Sequence, residues 1–139
     1  MAITEAALLA RITSVCVTAG YAQAIGRDFS RQPNGAVDGR FVVTLQVGVP
    51  IGGMNWTEEA RGTVQVDVAR LINDDYDAVE LVALGDARAL INAIARDGAQ
   101  ASGEYAVDDT GRSITVEAPI GANYLVSRSR IPLNYEATL

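Results

Sequence analysis

The chain has 139 residues, a length typical of one domain, and a formal net charge of −6 from 17 acidic and 11 basic residues. All basic residues are arginine; lysine and histidine are absent. This balance argues against a nucleic-acid-wrapping protein, and the lack of histidine removes the commonest general base and transition-metal ligand. The single cysteine excludes an internal disulfide, and no segment matches a signal peptide or a membrane span.

The first predicted helix begins after Thr4, whose hydroxyl suits an N-cap, and ends at Gly20. Its apolar stripe consists of Leu8, Ile12, Val15, Cys16 and Ala19. Cys16 lies in that stripe, which predicts a small buried hydrophobe, since no histidine is present to activate a thiol.

The segment from Tyr21 to Phe29 is ambiguous between a short strand and irregular structure. Ser30 to Gly39 is rich in turn-forming residues and predicts a loop. Arg40 to Val49 alternates apolar and mixed positions and predicts a strand, with one face formed by Phe41, Val43, Leu45 and Val47.

The segment from Pro50 to Glu59 predicts a long loop between two strands. It carries three large apolar side chains: Ile51, Met54 and Trp56. A long loop with such side chains either folds back on its own core or contacts a partner, and we favour a partner.

The stretch from Ala60 to Gly98 predicts a strand that leads into one long helix. The strand, Thr63 to Leu71, points Val64, Val66 and Val68 to one face. The acidic turn from Asn73 to Asp77 suits a helix N-terminus, and a helix of about 19 residues follows. Gly98 is placed as its C-terminal cap.

The C-terminal third predicts three more strands. Glu104 to Val107 and Arg112 to Ala118 flank a turn and predict a short hairpin. The last strand runs from Tyr124 to Ala137, and Pro132 within it predicts a sheet edge or a bulge, because proline cannot donate a ladder hydrogen bond.

These elements predict a single domain over residues 1–139 of the α+β class, with the order α-(β)-β-β-α-β-β-β. We expect a mixed, mainly antiparallel sheet with two helices packed on one face.

Three motifs invite a chemical interpretation, and a structural one is stronger for each. Asp109-Thr110-Gly111 spells the aspartic-protease triplet, but its charged neighbours suit a turn. The aspartates between residues 73 and 77 lack the glycine and glutamate of a calcium loop. The glycines from Gly48 to Gly53 are not followed by lysine, so they form no phosphate loop. We therefore predict no catalytic, metal or cofactor-binding residue.

The order of patterns resembles the tail terminator proteins of long-tailed phages and phage-like particles. The likeness lies in the opening helix, the strands at 39–45 and 61–68, the acidic turn before the long helix, and the closing strand Arg130-Ile131-Pro132-Leu133-Asn134-Tyr135-Glu136-Ala137. It spans nearly the whole chain but includes no single diagnostic motif.

The resemblance implies a virion structural protein, made in the host bacterial cytoplasm and located in the tail or neck. Such proteins form homohexameric rings that end the tail tube, contact the tail tube protein and the head-side connector or stopper protein, and let DNA pass through the lumen. It implies no cofactor, no membrane and no enzymatic activity. On this hypothesis the ring or tube contacts come from Ile51, Met54 and Trp56, with the edge near Pro132 as a weaker candidate.

Three other functions stay open at this point. One is another head–tail neck or tail-completion protein. The second, of a different class, is a small soluble ligand-binding α+β domain. The third is an enzyme that uses carboxylates alone.

Overall fold

A computed structural model describes residues 2–26, 29, 36–54, 57–102 and 104–138. Its elements, in chain order, are β1 (Ala2–Ile3), α1 (Glu5–Thr18), β2 (Ala22–Gln23), β3 (Arg40–Met54), β4 (Thr57–Leu71), α2 (Tyr76–Arg96), a π-helical turn (Asp97–Ser102), β5 (Tyr105–Val107), β6 (Ser113–Glu117) and β7 (Tyr124–Thr138).

The sheet is mixed and mostly antiparallel, with the order β1-β7-β4-β3-β2. Strands β3, β4 and β7 have 15 residues each and form its antiparallel centre. The short strands β1 and β2 add parallel pairs, β1 on β7 and β2 on β3. The predicted α+β fold is therefore confirmed. The short strand in the ambiguous segment after Tyr21 is also present, whereas β1 was not predicted.

Both helices pack against the sheet, and they share one core with it. The predicted valine face of β4 is correct, because Val64, Val66 and Val68 are buried. The helices contribute the fully buried side chains Leu8, Ile12, Cys16, Leu90 and Ile94. The opposite face of the sheet, at the level of these valines, carries polar side chains.

The helix N-termini match the sequence interpretation. Thr4 Oγ1 accepts a hydrogen bond from the Ala7 amide at 3.1 Å, and Asp75 Oδ1 accepts one from the Ala78 amide at 3.1 Å. The prediction for Gly98 as a C-terminal cap was wrong, because α2 ends at Arg96 and Gly98 lies inside the π-helical turn that follows. Gly98 is instead needed for space: a Cβ there would lie 2.7 Å from the ring of Tyr105.

The predicted long loop from Pro50 to Glu59 was also wrong. β3 continues to Met54 and β4 begins at Thr57, so this part of the chain is the far end of a long β-hairpin. Register shifts between Gln46 and Val49, and between Pro50 and Gly52, accommodate the proline and the glycines within the strand. The loop-like composition therefore reflects bulges and not a connection.

The predicted hairpin after α2 has the right strands but the wrong pairing. β5 and β6 each pair with β7, one after the other along the same edge, instead of with each other. The turn between them keeps contact with β7 through a 2.9 Å hydrogen bond from the Asp108 amide to the Pro132 carbonyl. Because β7 has partners on both sides, Pro132 lies in an inner strand and not at the predicted sheet edge. Along β7, Pro132 lies between the residues that pair with β6 and those that pair with β5, so its missing N–H removes no hydrogen bond from either pair.

Candidate partner-binding site

The residues that the sequence singled out do not converge in the structure. Ile51 and Met54 lie in the far part of β3, where the structure describes the backbone, and Trp56 lies outside the described residues. Pro132 pairs with Thr63 of β4, whereas Met54 pairs with Thr57, six residues before Thr63 in the same strand. That offset is about 20 Å along the strands, so the two predicted contact regions are separate places on one sheet.

The sheet has one long open edge, formed by β3. Its outer neighbour β2 pairs only with Arg40 and Phe41, so within the described residues no strand covers β3 from Val42 to Met54. The side of β7 that faces away from β4 has no such open edge, because β6, β5 and β1 pair with it one after another.

The direction of the backbone groups on this edge follows from one hydrogen bond. The Ala24 amide donates to the Phe41 carbonyl at 2.9 Å, so Phe41 turns its N–H and C=O away from β4. Since these groups alternate along an antiparallel strand, Val43 and Leu45 also present theirs to the open side. The edge therefore offers two donors and two acceptors beside two half-buried apolar side chains.

The sheet face opposite the helices carries a polar network instead of an apolar patch. Arg128 Nε donates to Asp67 Oδ1 at 3.2 Å, and the same guanidinium lies 3.4 Å from Glu117. Gln65 links this pair to Arg130: its amide donates to Asp67 at 3.3 Å and its Oε1 accepts from Arg130 Nε at 3.3 Å. Positive and negative charges are thus paired across β4, β7 and β6.

Next to this network lies a shallow depression of about 610 Å³ on the same face. Its lining consists of hydroxyl, amide, proline, glycine and arginine groups: Thr44, Gln46, Thr63, Gln65, Gly111, Ser113, Arg130 and Pro132. No lining residue is a carboxylate or a cysteine, so these side chains supply neither a carboxylate base nor a thiol nucleophile and suit hydrogen bonding to a surface.

Two carboxylates, Asp86 of α2 and Asp97 at the start of the π-helical turn, each accept hydrogen bonds from an arginine and a tyrosine, and both arrangements join structural elements. Asp86 accepts hydrogen bonds from Arg70 at 2.7 and 3.0 Å and from the Tyr21 hydroxyl at 2.7 Å. Burial and the hydrogen bond to Asp86 raise the pKa of Tyr21 to about 12. The cluster ties α2 to β4 and to the segment after α1, which indicates a structural role.

The second arrangement centres on Asp97, which accepts from Arg11 at 2.7 and 3.1 Å and from the Tyr105 hydroxyl at 2.9 Å. Burial by itself would raise the pKa of Asp97, but the hydrogen bonds from Arg11 and Tyr105 lower it. Burial and the bond to Asp97 raise the pKa of Tyr105. This cluster ties α1, the end of α2 and β5 together.

The described residues contain no cluster of three or more histidine, cysteine, aspartate or glutamate side chains that could hold a metal ion. Cys16 is fully buried, and burial raises the pKa of its thiol to about 12, so the predicted inert hydrophobe is confirmed. Asp109-Thr110-Gly111 forms the turn between β5 and β6, with Gly111 at a φ of 87°.

Sequence reasoning missed the open edge and the polar network, and of these two only the polar network left a signal in the alternation of the strands. In β7, Ser127, Ser129 and Ile131 are buried, whereas the arginines at 128 and 130 point to the other face. The same alternation in β4 places Gln65 and Asp67 beside them. The pairing of β3 with a strand of only two residues could not be deduced from composition.

Compared with protein-family models and with curated proteins, the chain gives no significant match. Among the described residues, neither helix is both long and apolar enough to cross a membrane.

Proposed function

We propose that this chain is a virion structural protein that forms a homohexameric ring, ends the tail tube and joins it to the head-side connector. The observation that carries the proposal is the long open edge of β3. A strand edge with unpaired backbone groups is a template for pairing with another chain, and soluble proteins usually guard such edges with lysine or charge. This chain has no lysine.

The far half of β3 strengthens the proposal, because it belongs to a hairpin that continues for 15 residues in each strand. This length extends the open edge of β3 as far as the positions of Ile51 and Met54, two of the residues that the sequence predicted to contact a partner. The uncovered sheet face, with paired charges and hydroxyls, suits a wet surface between protein rings.

The overall charge also fits the role. A net charge of −6 repels DNA, so a lumen lined by copies of this chain would let DNA pass without adhesion. The partners are then further copies of the chain, the tail tube protein and the connector or stopper protein.

The first experiment tests the ring with the substitution Gln46→Lys. Gln46 is exposed on β3, so a lysine there guards the open edge and leaves the core unchanged. Tail tubes mixed with the wild-type chain should carry a six-fold cap in negative-stain images, and this variant should lose the cap. Ala10→Lys is the matched control, because Ala10 is exposed on α1, away from the β3 edge and from the uncovered sheet face, and should leave capping intact.

Three results would contradict the proposal. One is a wild-type chain that ignores tube ends, and another is normal tail length in particles made without it. The third is a melting temperature that rises with a small molecule while tubes stay uncapped, which would favour a ligand-binding domain.

A second experiment tests Met54 and Trp56, two of the residues that the sequence predicted to contact a partner. Replacing Met54 and Trp56 with serine should leave the chain folded by circular dichroism and block the joining of tails to heads. Normal particle assembly by this double variant would show that these two residues do not form the contact. The ring proposal would then depend on the result for Gln46→Lys.

A further inference from the structure

The solvent-facing side of α2 has an unusual composition for an exposed helix. Its buried side is formed by Val79, Ala83, Asp86, Ala87, Leu90, Ile91 and Ile94. Opposite these lies a stripe in which Asp77, Leu81, Gly85 and Arg88 are exposed and Leu84 is half-buried. Leu81 is 70% exposed and its neighbour Val82 is 50% exposed, so the middle of this helix presents large apolar side chains to solvent.

The charges at the two ends of this stripe have no ion-pair partner among the described residues. In the part of the chain that the structure describes, neither Asp77 nor Arg88 forms an ion pair. Five of the other arginines, by contrast, pair with aspartates: Arg11, Arg61, Arg70, Arg112 and Arg128.

Gly85 adds an independent observation. A glycine inside a helix costs about 1 kcal/mol relative to alanine, and a close contact that needs the space can offset this cost. A Cβ at Gly85 would meet nothing within 4 Å of the described residues, so its own chain supplies no such reason. Its missing side chain leaves room beside Leu81 on the same stripe.

We propose that this stripe binds a second copy of the chain through an antiparallel α2–α2 contact with two-fold symmetry. The order along the stripe is negative, apolar, apolar, positive, at residues 77, 81, 84 and 88. Reversed, it reads positive, apolar, apolar, negative with the same spacing, so it complements itself. A two-fold axis at the level of Val82 and Ala83 places Asp77 opposite Arg88 of the partner subunit. It also places Leu81 against Leu84 and next to Gly85 of the partner subunit.

Such a contact is isologous, as two-fold interfaces are. α2 has 21 residues, which is about 31 Å of helix. One helix pair of this length covers less than the roughly 1,200 Å² of a standard stable interface, so we expect a weak dimer. A Kd between about 10 and 100 µM corresponds to that expectation. The inference does not depend on the proposed ring, because the open edge of β3 lies on another element.

The test is a charge-swap cycle measured by analytical ultracentrifugation of the full chain, from about 10 µM to about 1 mM, which brackets that Kd. Asp77→Arg alone and Arg88→Asp alone each place like charges opposite one another, so each should weaken association about tenfold or more. The double variant restores opposite charges and should recover most of the wild-type affinity. Leu81→Asp should abolish the dimer.

Arg96→Asp is the matched control, since Arg96 is exposed at the end of the same helix but outside the paired region, and it should leave association unchanged. Circular dichroism confirms that each variant is folded. A chain that stays monomeric up to about 1 mM would overturn the inference, and so would a folded double variant that fails to recover. A hexamer insensitive to all of these substitutions would contradict this contact while supporting the ring.

Discussion

The two faces of the sheet differ in how the chain uses them. On the helix-covered face Val64, Ile131 and Leu133 are fully buried. On the other face, one residue away along the same strands, Gln65 and Arg130 hydrogen-bond to each other beside water. The covered face determines whether the chain folds, whereas the uncovered face and the β3 edge are free to recognise other molecules. The following experiments test that division.

The largest effect should come from truncating the covered face. Leu133→Ala removes a fully buried side chain from β7 and should lower the free energy of unfolding by about 3 kcal/mol, through lost burial and the cavity left behind. Asn134→Ala, the next residue on the opposite face, should change it by less than about 0.5 kcal/mol. Urea unfolding followed by circular dichroism measures both, and equal losses would contradict the division.

A smaller effect is expected from the ion pair between helix and sheet. Asp86→Asn keeps the size of the side chain but leaves the charge of Arg70 with its longer ion pair to Asp38, at 3.5 Å, and its cation–π contact with Tyr21. Because Arg70 is partly exposed, we expect a loss of about 2 kcal/mol rather than the 3–5 kcal/mol of a fully buried pair. Asp67→Asn, in the pair with Arg128 on the uncovered face, should cost less than about 1 kcal/mol. Similar losses in the two variants would show that both pairs are structural.

Alkaline pH should also lower the free energy of unfolding, through two tyrosines. The folded state raises the pKa of Tyr21 and Tyr105, so both tyrosines ionise more easily when the chain is unfolded. Their stabilisation is complete below the unfolded pKa of about 10 and is lost as pH rises above it, at about 1.4 kcal/mol per pH unit for each tyrosine. The free energy of unfolding of Tyr105→Phe should therefore decline less steeply than that of the wild type between about pH 10 and about pH 12. If thermal melts show the same pH dependence for the wild type and for Tyr105→Phe over this range, the raised pKa of Tyr105 is refuted.

The smallest effect concerns two serines on the covered face. The hydroxyls of Ser127 and Ser129 are buried and have no hydrogen-bond partner among the described residues. Replacing Ser129 with alanine removes an unsatisfied polar group, so the free energy of unfolding should stay within about 0.5 kcal/mol of wild type or rise. A loss of more than about 1 kcal/mol in the same urea assay would mean that this hydroxyl has a partner.

Local patterns predicted the elements better than their arrangement. The valines of β4, the α1 stripe up to Cys16 and the caps at Thr4 and Asp75 depend on neighbours within a few residues, so alternation and capping rules find them. Ala19, the last residue of the predicted stripe, is instead the exposed C-cap of α1. The extent of β3 was missed, because its proline and glycines are tolerated only where bulges in pairing with β4 accommodate them. The role of Gly98 was misjudged because it depends on Tyr105, which packs against it from β5.

The sequence by itself determined the class of fold, the buried faces and the inert state of Cys16, because side-chain periodicity and composition are local properties. Only the tertiary structure decided which strand keeps an open edge, why Pro132 is accommodated within an inner strand, and which charges of α2 remain unpaired. Those properties depend on contacts between residues far apart in the chain, and a contact of that kind leaves no periodic signal in either of the segments that form it.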